Sequence, residues 1–401
     1  MGKKKILQLN AYYKRGSTGN IVESIENEGK KQGFDMYVIY WLQKNEKDTS
    51  KVFFVDKGEH KTVIDKYFEW VFQGGKLNYN QKLTIKIVEL IKKINPDIIH
   101  LHNLHSDFEY GTLDFCILFE YLKESKKRII WTLHDCWPIT GRCYHFEYKK
   151  CTRWMTGCGR CPQRIFDRQG ILYDRSAYNL SIKKKFYDDI DNMTIVTVSE
   201  WLHSIVKNSV LANKKILTIY NGIDTKVFYP KKKKVSKKYR ILCIGWDRKK
   251  GFKDYYNLAK ELGENYEIVV VGHRPIFRRL HRLPSNIKEI DGAITSQRMA
   301  EIYNSVDVYF NSSKAETFGL TTVEAMCCAT PVVGYNSTAT PELINLVGNG
   351  GMYANVGDIK QVKNYIYSLT QKKMPVNIED CEIYFNIKNM KQNYIDLYME
   401  G

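Results

Sequence analysis

The chain has 401 residues and 43% hydrophobic content, enough for two or three domains with full cores. Lys and Arg number 62 against 44 acids, a formal net charge of +18, which suits nucleic acid, an anionic membrane surface or anionic small molecules as partners. No run of 18 apolar residues occurs, and Met1-Gly2-Lys3-Lys4-Lys5 leads straight into a strand, which argues against a spanning helix and a secretory leader; a cytoplasmic protein, peripheral on the inner face of the cell membrane, is expected.

Near-continuous Ile/Val/Leu runs between helical stretches predict parallel strands buried on both faces. They fall at 5–9, 36–41, 97–101, 128–133, 193–198 and 215–220 for one sheet, and at 240–245, 266–271, 306–311 and 331–335 for a second. After the first strand comes Tyr12-Tyr13-Lys14-Arg15-Gly16-Ser17-Thr18-Gly19-Asn20, where Gly16 and Gly19 would let the backbone approach a ligand and Asn20 could cap a helix. His100 and His102 would share one strand face; with no third ligand type beside them, packing or lining of a site is the reading, not a metal. His134 stands just past the end of the strand at 128–133.

Cys143, Cys151, Cys158 and Cys161 have the number and reach for a tetrahedral structural zinc, although only the last two form a C-x-x-C pair. Ser199-Glu200 follows the strand at 193–198. Asn221-Gly222-Ile223-Asp224 reads as a turn with positive φ, anchored by Val227-Phe228. The stretch 231–238 holds six lysines in eight positions and is the expected linker.

The second domain opens with Gly245-Trp246-Asp247-Arg248-Lys249-Lys250-Gly251, a basic loop after a strand. Arg248 and Lys250 would neutralise the charge of a departing pyrophosphate there. Glu316-Thr317-Phe318-Gly319-Leu320-Thr321-Thr322-Val323-Glu324 sets two carboxylates around a glycine turn and a helix start near Thr321. Free N–H groups and the dipole at that start suit a phosphate, and paired carboxylates suit polyol hydroxyls.

The run from Ala315 to Glu324, followed by Ala325-Met326 and Pro331-Val332-Val333, resembles the Glu-x7-Glu signature of retaining glycosyltransferases of family 4. Lys250-Gly251 matches that family's Lys-Gly element, with the arginine displaced to Arg248. The resemblance implies an α/β protein of the GT-B fold, two facing Rossmann-like domains with parallel sheets and a cleft between them. It implies an acceptor-binding domain over 1–230, a nucleotide-sugar domain over 231–385 and a last helix within 386–401 crossing back to the first domain.

In the family, Lys250, Arg248 and the helix start at Phe318, Gly319, Leu320 and Thr321 would hold the diphosphate of a nucleotide-diphosphate sugar. Glu316 would hold the sugar hydroxyls and Glu324 the ribose. His134 would face the donor sugar, while Gly16 and Gly19 would lie near the phosphates and the acceptor. No metal or other cofactor is implied for catalysis. His134-Asp135-Cys136-Trp137-Pro138-Ile139-Thr140-Gly141-Arg142-Cys143 and the later Cys158-Gly159-Arg160-Cys161-Pro162 resemble the subgroup of colanic-acid-type and other exopolysaccharide transferases, and place a cysteine-rich insertion over 136–162. The acceptor would then be a lipid-linked glycan or polysaccharide. Two rivals are an epimerase or hydrolase of sugar nucleotides on the same fold, and a basic nucleic-acid-binding protein without catalysis.

Overall fold

In a computed structural model, thirteen strands among the described residues lie in two wholly parallel sheets. The structure describes the chain apart from residues 1, 45–49, 57–61, 63, 65–70, 73–76, 106–111, 165–171, 234–235, 248, 276–281, 293, 373–374 and 401. The first sheet contains β1 (Lys5–Leu9), β2 (Asp35–Tyr40), β3 (Val52–Phe54), β4 (Ile98–Leu101), β5 (Arg128–Leu133), β6 (Met193–Thr197) and β7 (Lys215–Thr218), in the order β3-β2-β1-β4-β5-β6-β7. The second contains β8 (Tyr239–Ile244), β9 (Tyr266–Val271), β10 (Ile287–Ile290), β11 (Val308–Phe310), β12 (Val332–Tyr335) and β13 (Gly351–Ala354), in the order β10-β9-β8-β11-β12-β13.

Central strands such as β6, Met-Thr-Ile-Val-Thr, are buried along their whole length, as helices on both faces require. Three strands escaped the sequence reading: β3, β10 and β13. All are edges of three or four residues, too short to show a hydrophobic period.

In each sheet the strand order reverses beside the first strand, between β1 and β4 and between β8 and β11. Open α/β sheets take ligands at such points, beyond the carboxyl ends of the strands. The basic loop 245–251 and the loop that leads to Glu316 leave the second switch point. The glycine loop after β1 and the histidines after β4 leave the first.

The chain divides into two units, Met1–Ile219 with Lys391–Gly401, and Tyr220–Met390. The first unit therefore ends before the lysine run, not within it. Residues 220–230 pack on the second unit: the Tyr220 hydroxyl donates to Glu342 at 2.8 Å, and Ile223 pairs with Asn386. The lysine run continues that attachment, with Lys231 N–H on Asn304 Oδ1 at 2.6 Å and Lys233 on Asp307 at 3.0 Å.

Gly222 does not adopt positive φ, against the expectation for its turn. Its missing side chain serves close approach instead, because a Cβ there would stand 2.4 Å from the Ile387 Cα. The helix Ile387–Met399 starts in the second unit and finishes in the first, where Tyr394 and Tyr398 are fully buried. Among the described residues no helix is long and apolar enough to cross a membrane.

Candidate functional site

In the second unit, two loops are locked together at the switch point by glycine. Gly251, at φ +77°, caps the helix Phe252–Glu261, and a Cβ on it would lie 2.2 Å from the Ser312 carbonyl oxygen. The Ser312 hydroxyl donates to the Lys250 carbonyl at 2.6 Å. Gly245 makes room for the lysine stem, since its own Cβ would meet Lys250 Cγ at 2.9 Å. Asp247 Oδ1 accepts from the Lys250 N–H at 2.7 Å and closes the turn.

These constraints bring the Lys250 ammonium onto Glu316 Oε1 at 2.8 Å. Burial pulls the Lys250 ammonium down, but the charge and hydrogen bond of Glu316 outweigh it and hold the group above its ordinary value. Lys250 thus stays charged at every physiological pH. Glu316 is fixed through its backbone, with its N–H on Thr338 Oγ1 at 2.9 Å and its carbonyl accepting from Ala339 at 3.3 Å.

Gly319, at φ +98°, begins the helix Leu320–Cys327, one residue ahead of the expected start. The first N–H groups of a helix have no intrahelical acceptor and carry the positive end of its dipole. Thr321 and Thr322 are held from behind by Tyr309 and Asn311, each at 3.0 Å. One turn on, Glu324 accepts from the Tyr303 hydroxyl at 3.0 Å, and burial pushes its carboxyl up to about 7. Phe318 is buried beside Tyr220 and Phe385, so it shapes the turn from within. Arg248 lies outside the described residues.

Sequence reading missed Asp254 and Lys314. Asp254 accepts from Lys314 at 3.1 Å and from the Tyr335 hydroxyl at 2.9 Å, and so braces the segment that carries Glu316. These partners are dozens of residues apart, and no local signal joins them.

In the first unit, Gly16, at φ +63°, opens the helix Gly16–Lys31. Gly19 sits in its first turn, where a Cβ would press to 3.3 Å on the Lys14 nitrogen and the Tyr12 oxygen. Arg15 occupies the cap position and Asn20 lies inside the helix, so Asn20 is not the cap. His134 follows β5 and its Nε2 is 3.1 Å from His102 Nδ1. Burial holds His134 down to about 4 and His100 to about 3, so both rings are neutral near pH 7. His100 and His102 do share a face, with ring centroids 4.1 Å apart, but His100 is spent on Tyr398 and Thr132 at 2.6 and 2.8 Å, which is packing.

An unforeseen pair lies beside them: His105 Nε2 meets Asp135 Oδ2 at 3.0 Å. Burial alone would raise the Asp135 carboxyl, but the charge and hydrogen bond of His105, with the Trp137 N–H, hold it below its ordinary range.

Cys143, Cys151, Cys158 and Cys161 line one pocket with Arg142, Trp154 and Gln163. Cys158 Sγ accepts from the Gly141 N–H at 3.4 Å, and Cys161 Sγ from the Gln163 N–H. The thiols stand on the walls of the pocket: among the described residues no three His, Cys, Asp or Glu side chains are grouped to hold a metal ion.

Residues 19–227 match the description "Glycosyltransferase Family 4", more than half the chain, and residues 224–381 match "Glycosyl transferases group 1". The chain is a family 4 glycosyltransferase. Among curated relatives, the Escherichia coli K12 protein WcaC, named for colanic acid biosynthesis, is 24% identical over 86% of each chain. The O-antigen chain mannosyltransferase RfbU of Salmonella typhimurium is 26% identical over 77% of this chain and 92% of its own. Among solved structures, Anabaena HepE, crystallised with UDP and glucose, superposes with a TM-score of 0.63 at 14% identity over 98% of this chain and 99% of its own. That likeness shows the fold, which is GT-B. Membership of a transferase family leaves the epimerase, hydrolase and nucleic-acid readings without support.

Proposed function

We propose that this glycosyltransferase moves a sugar from a nucleotide diphosphate to a lipid-linked or polysaccharide acceptor, with retention at the anomeric carbon, in cell-surface polysaccharide synthesis. The observation that carries the reading is the Lys250–Glu316 pair at 2.8 Å beside the helix start at Gly319. A diphosphate laid on that helix start gains amide donors and the dipole, and Lys250 supplies the countercharge for the leaving group. Glu316, once relieved of Lys250, accepts from donor-sugar hydroxyls, and Glu324 accepts from the ribose.

In the step proposed, the acceptor oxygen bonds to the anomeric carbon on the face that the diphosphate leaves. The acceptor proton passes to a phosphate oxygen, so no protein nucleophile takes part. Gly16, Gly19 and His134 are assigned to the donor phosphates, the acceptor and the donor sugar. The names of WcaC and RfbU and the UDP and glucose of HepE support these substrate classes. The lysine runs at 3–5, 183–185 and 231–238 suit an anionic membrane surface that bears the acceptor, except Lys183, which is buried.

For the cysteine loop we propose one structural zinc, which would draw the four thiols inward. Two of the sulfurs already accept backbone N–H groups, the bonds that stabilise a metal-bound thiolate.

The test is a thermal-shift screen over nucleotide sugars followed by donor turnover with and without a lipid-linked glycan. A donor at a hundred times its dissociation constant adds about 2.7 kcal/mol of stability. Donor consumption that needs the acceptor supports transfer; equal consumption without it refutes transfer.

A further inference from the structure

Behind His134 runs a chain of hydrogen bonds whose direction is fixed at its far end. Gln8, fully buried on β1, donates its amide Nε2 to the Val22 carbonyl at 3.1 Å. A carbonyl only accepts, so the amide orientation is settled and Gln8 Oε1 faces the other way. That oxygen lies 3.2 Å from His102 Nε2 and can only accept, so His102 carries its proton on Nε2.

A neutral imidazole has one N–H and one lone pair, which leaves the lone pair of His102 on Nδ1. His134 Nε2, 3.1 Å from that lone pair with the two ring planes 16° apart, must then be the donor. His102 is held in place by its own backbone, with its N–H on Leu9 and its carbonyl accepting from the Trp131 indole, both at 3.0 Å. Burial keeps His102 well below the ordinary histidine range, so the ring does not gain a second proton and reverse the chain near neutral pH. The titratable groups coupled to His134 include Asp135 and His105, which are paired with each other, and the rings of His100 and His102, which burial keeps neutral.

We propose that Gln8 and His102 are positioning residues that fix His134 as its Nε2–H tautomer. Whatever meets His134 Nδ1 must therefore donate a proton: a sugar or acceptor hydroxyl fits, and a phosphate oxygen or a carbonyl does not. This consequence rests on the reading of His134 as a substrate-facing residue; the tautomer itself does not. The sequence gives no hint of the arrangement, because Gln8, His102 and His134 come from three strand ends brought together by the order β1-β4-β5.

The experiment is long-range 1H–15N correlation on histidine-labelled protein, with the His134 signal assigned by its loss in His134→Gln. In the native protein His134 should show a protonated Nε2 and an unprotonated Nδ1. His102→Phe and Gln8→Met should each shift the Nδ1 resonance toward the protonated position, while His102→Gln, whose amide can accept from His134 and donate to Gln8, should restore it. Gln8→Met keeps the test open if His102→Phe fails to fold. A native Nδ1–H tautomer, or a tautomer unmoved in both variants, overturns the proposal. Sugar transfer read on the same proteins separates the two layers. A tenfold or greater loss of kcat in His102→Phe at unchanged donor KM, recovered in His102→Gln, supports the hydroxyl-accepting role. A shifted tautomer with unchanged kcat overturns that role for His134.

Discussion

Replacing Gly251 by alanine tests the link between fold and chemistry most directly. Three positions in the second unit separate the costs. Gly263 has ordinary φ and nothing within 4 Å of a built Cβ, so Gly263→Ala should leave stability unchanged or slightly raised. Gly357 has φ +85° and equally open surroundings, so Gly357→Ala bears only the left-handed strain, about 1–2 kcal/mol. Gly251 has φ +77° and a Cβ position 2.2 Å from a backbone oxygen that cannot rotate away. Overpacking adds about 1–3 kcal/mol, for a total of roughly 2–5 kcal/mol. For a unit of this size that lowers the melting temperature by roughly 4–20 °C.

The same displacement parts the loops that hold Lys250 on Glu316, and a shift of about 1 Å in such a pair costs on the order of a hundredfold in transfer rate. Unfolding would be followed by hydrogen exchange on peptides of the second unit, so that the first unit does not mask it. If Gly251→Ala is no less stable than Gly357→Ala, or melts lower yet transfers sugar at the native rate, the locked-loop account of the site fails.

Lys250→Met and Glu316→Gln should each cut transfer by about a hundredfold to a thousandfold while circular dichroism stays native; full activity in either removes that residue from the site. Glu324 supplies a pH effect. Burial lifts its folded carboxyl to about 7, above the ordinary 4.5, so the folded state holds the proton more tightly, and the stability it confers is complete below about 4.5 and is lost as pH rises through about 7. Denaturant titrations should show this fall in the ligand-free protein and a flatter profile in Glu324→Gln; the same slope in both would mean another group titrates. Elemental analysis of protein purified without chelator should find about one zinc per chain, lost together in Cys158→Ser and Cys161→Ser, and a native protein free of zinc would remove the metal from the cysteine loop.

The central strands and the glycine turn ahead of the helix Leu320–Cys327 are legible because each is written in consecutive residues: a buried parallel strand is a short apolar run, and the turn carries its glycine between two carboxylates within ten positions. What was not legible depends on partners far apart in the chain. Charge and scarce apolar residues mark the lysine run as a linker, yet Tyr220 and Ile223 tie the residues before it to Glu342 and Asn386. Asn221-Gly222 has the composition of a positive-φ turn, but the glycine answers to Ile387, over a hundred residues later. The three edge strands are too brief for periodicity, and Asp254, Lys314 and the Gln8–His102–His134 chain leave no spacing to find.

The site in the second unit holds its charges in compensated form before any donor arrives. Lys250 rests on Glu316, and Lys314 on Asp254. Both lysine side chains keep part of their hydration, at 42% and 37% exposure, so pairing fixes where each ammonium sits, and it keeps the Glu316 carboxylate off the amides of the helix start. Each group thus holds its partner in place. Under the proposed function a diphosphate would enter by exchange rather than by addition: its oxygens would replace the carboxylate on Lys250, and Glu316 would turn to the hydroxyls that come with the sugar. The donor's own two parts, anionic and polyol, match the two halves of the pair it separates. Of the glycines around the pair, Gly251 has no room for a side chain, with a Cβ position 2.2 Å from the Ser312 oxygen, whereas Gly245 and Gly319 answer mainly to their positive φ of +85° and +98°.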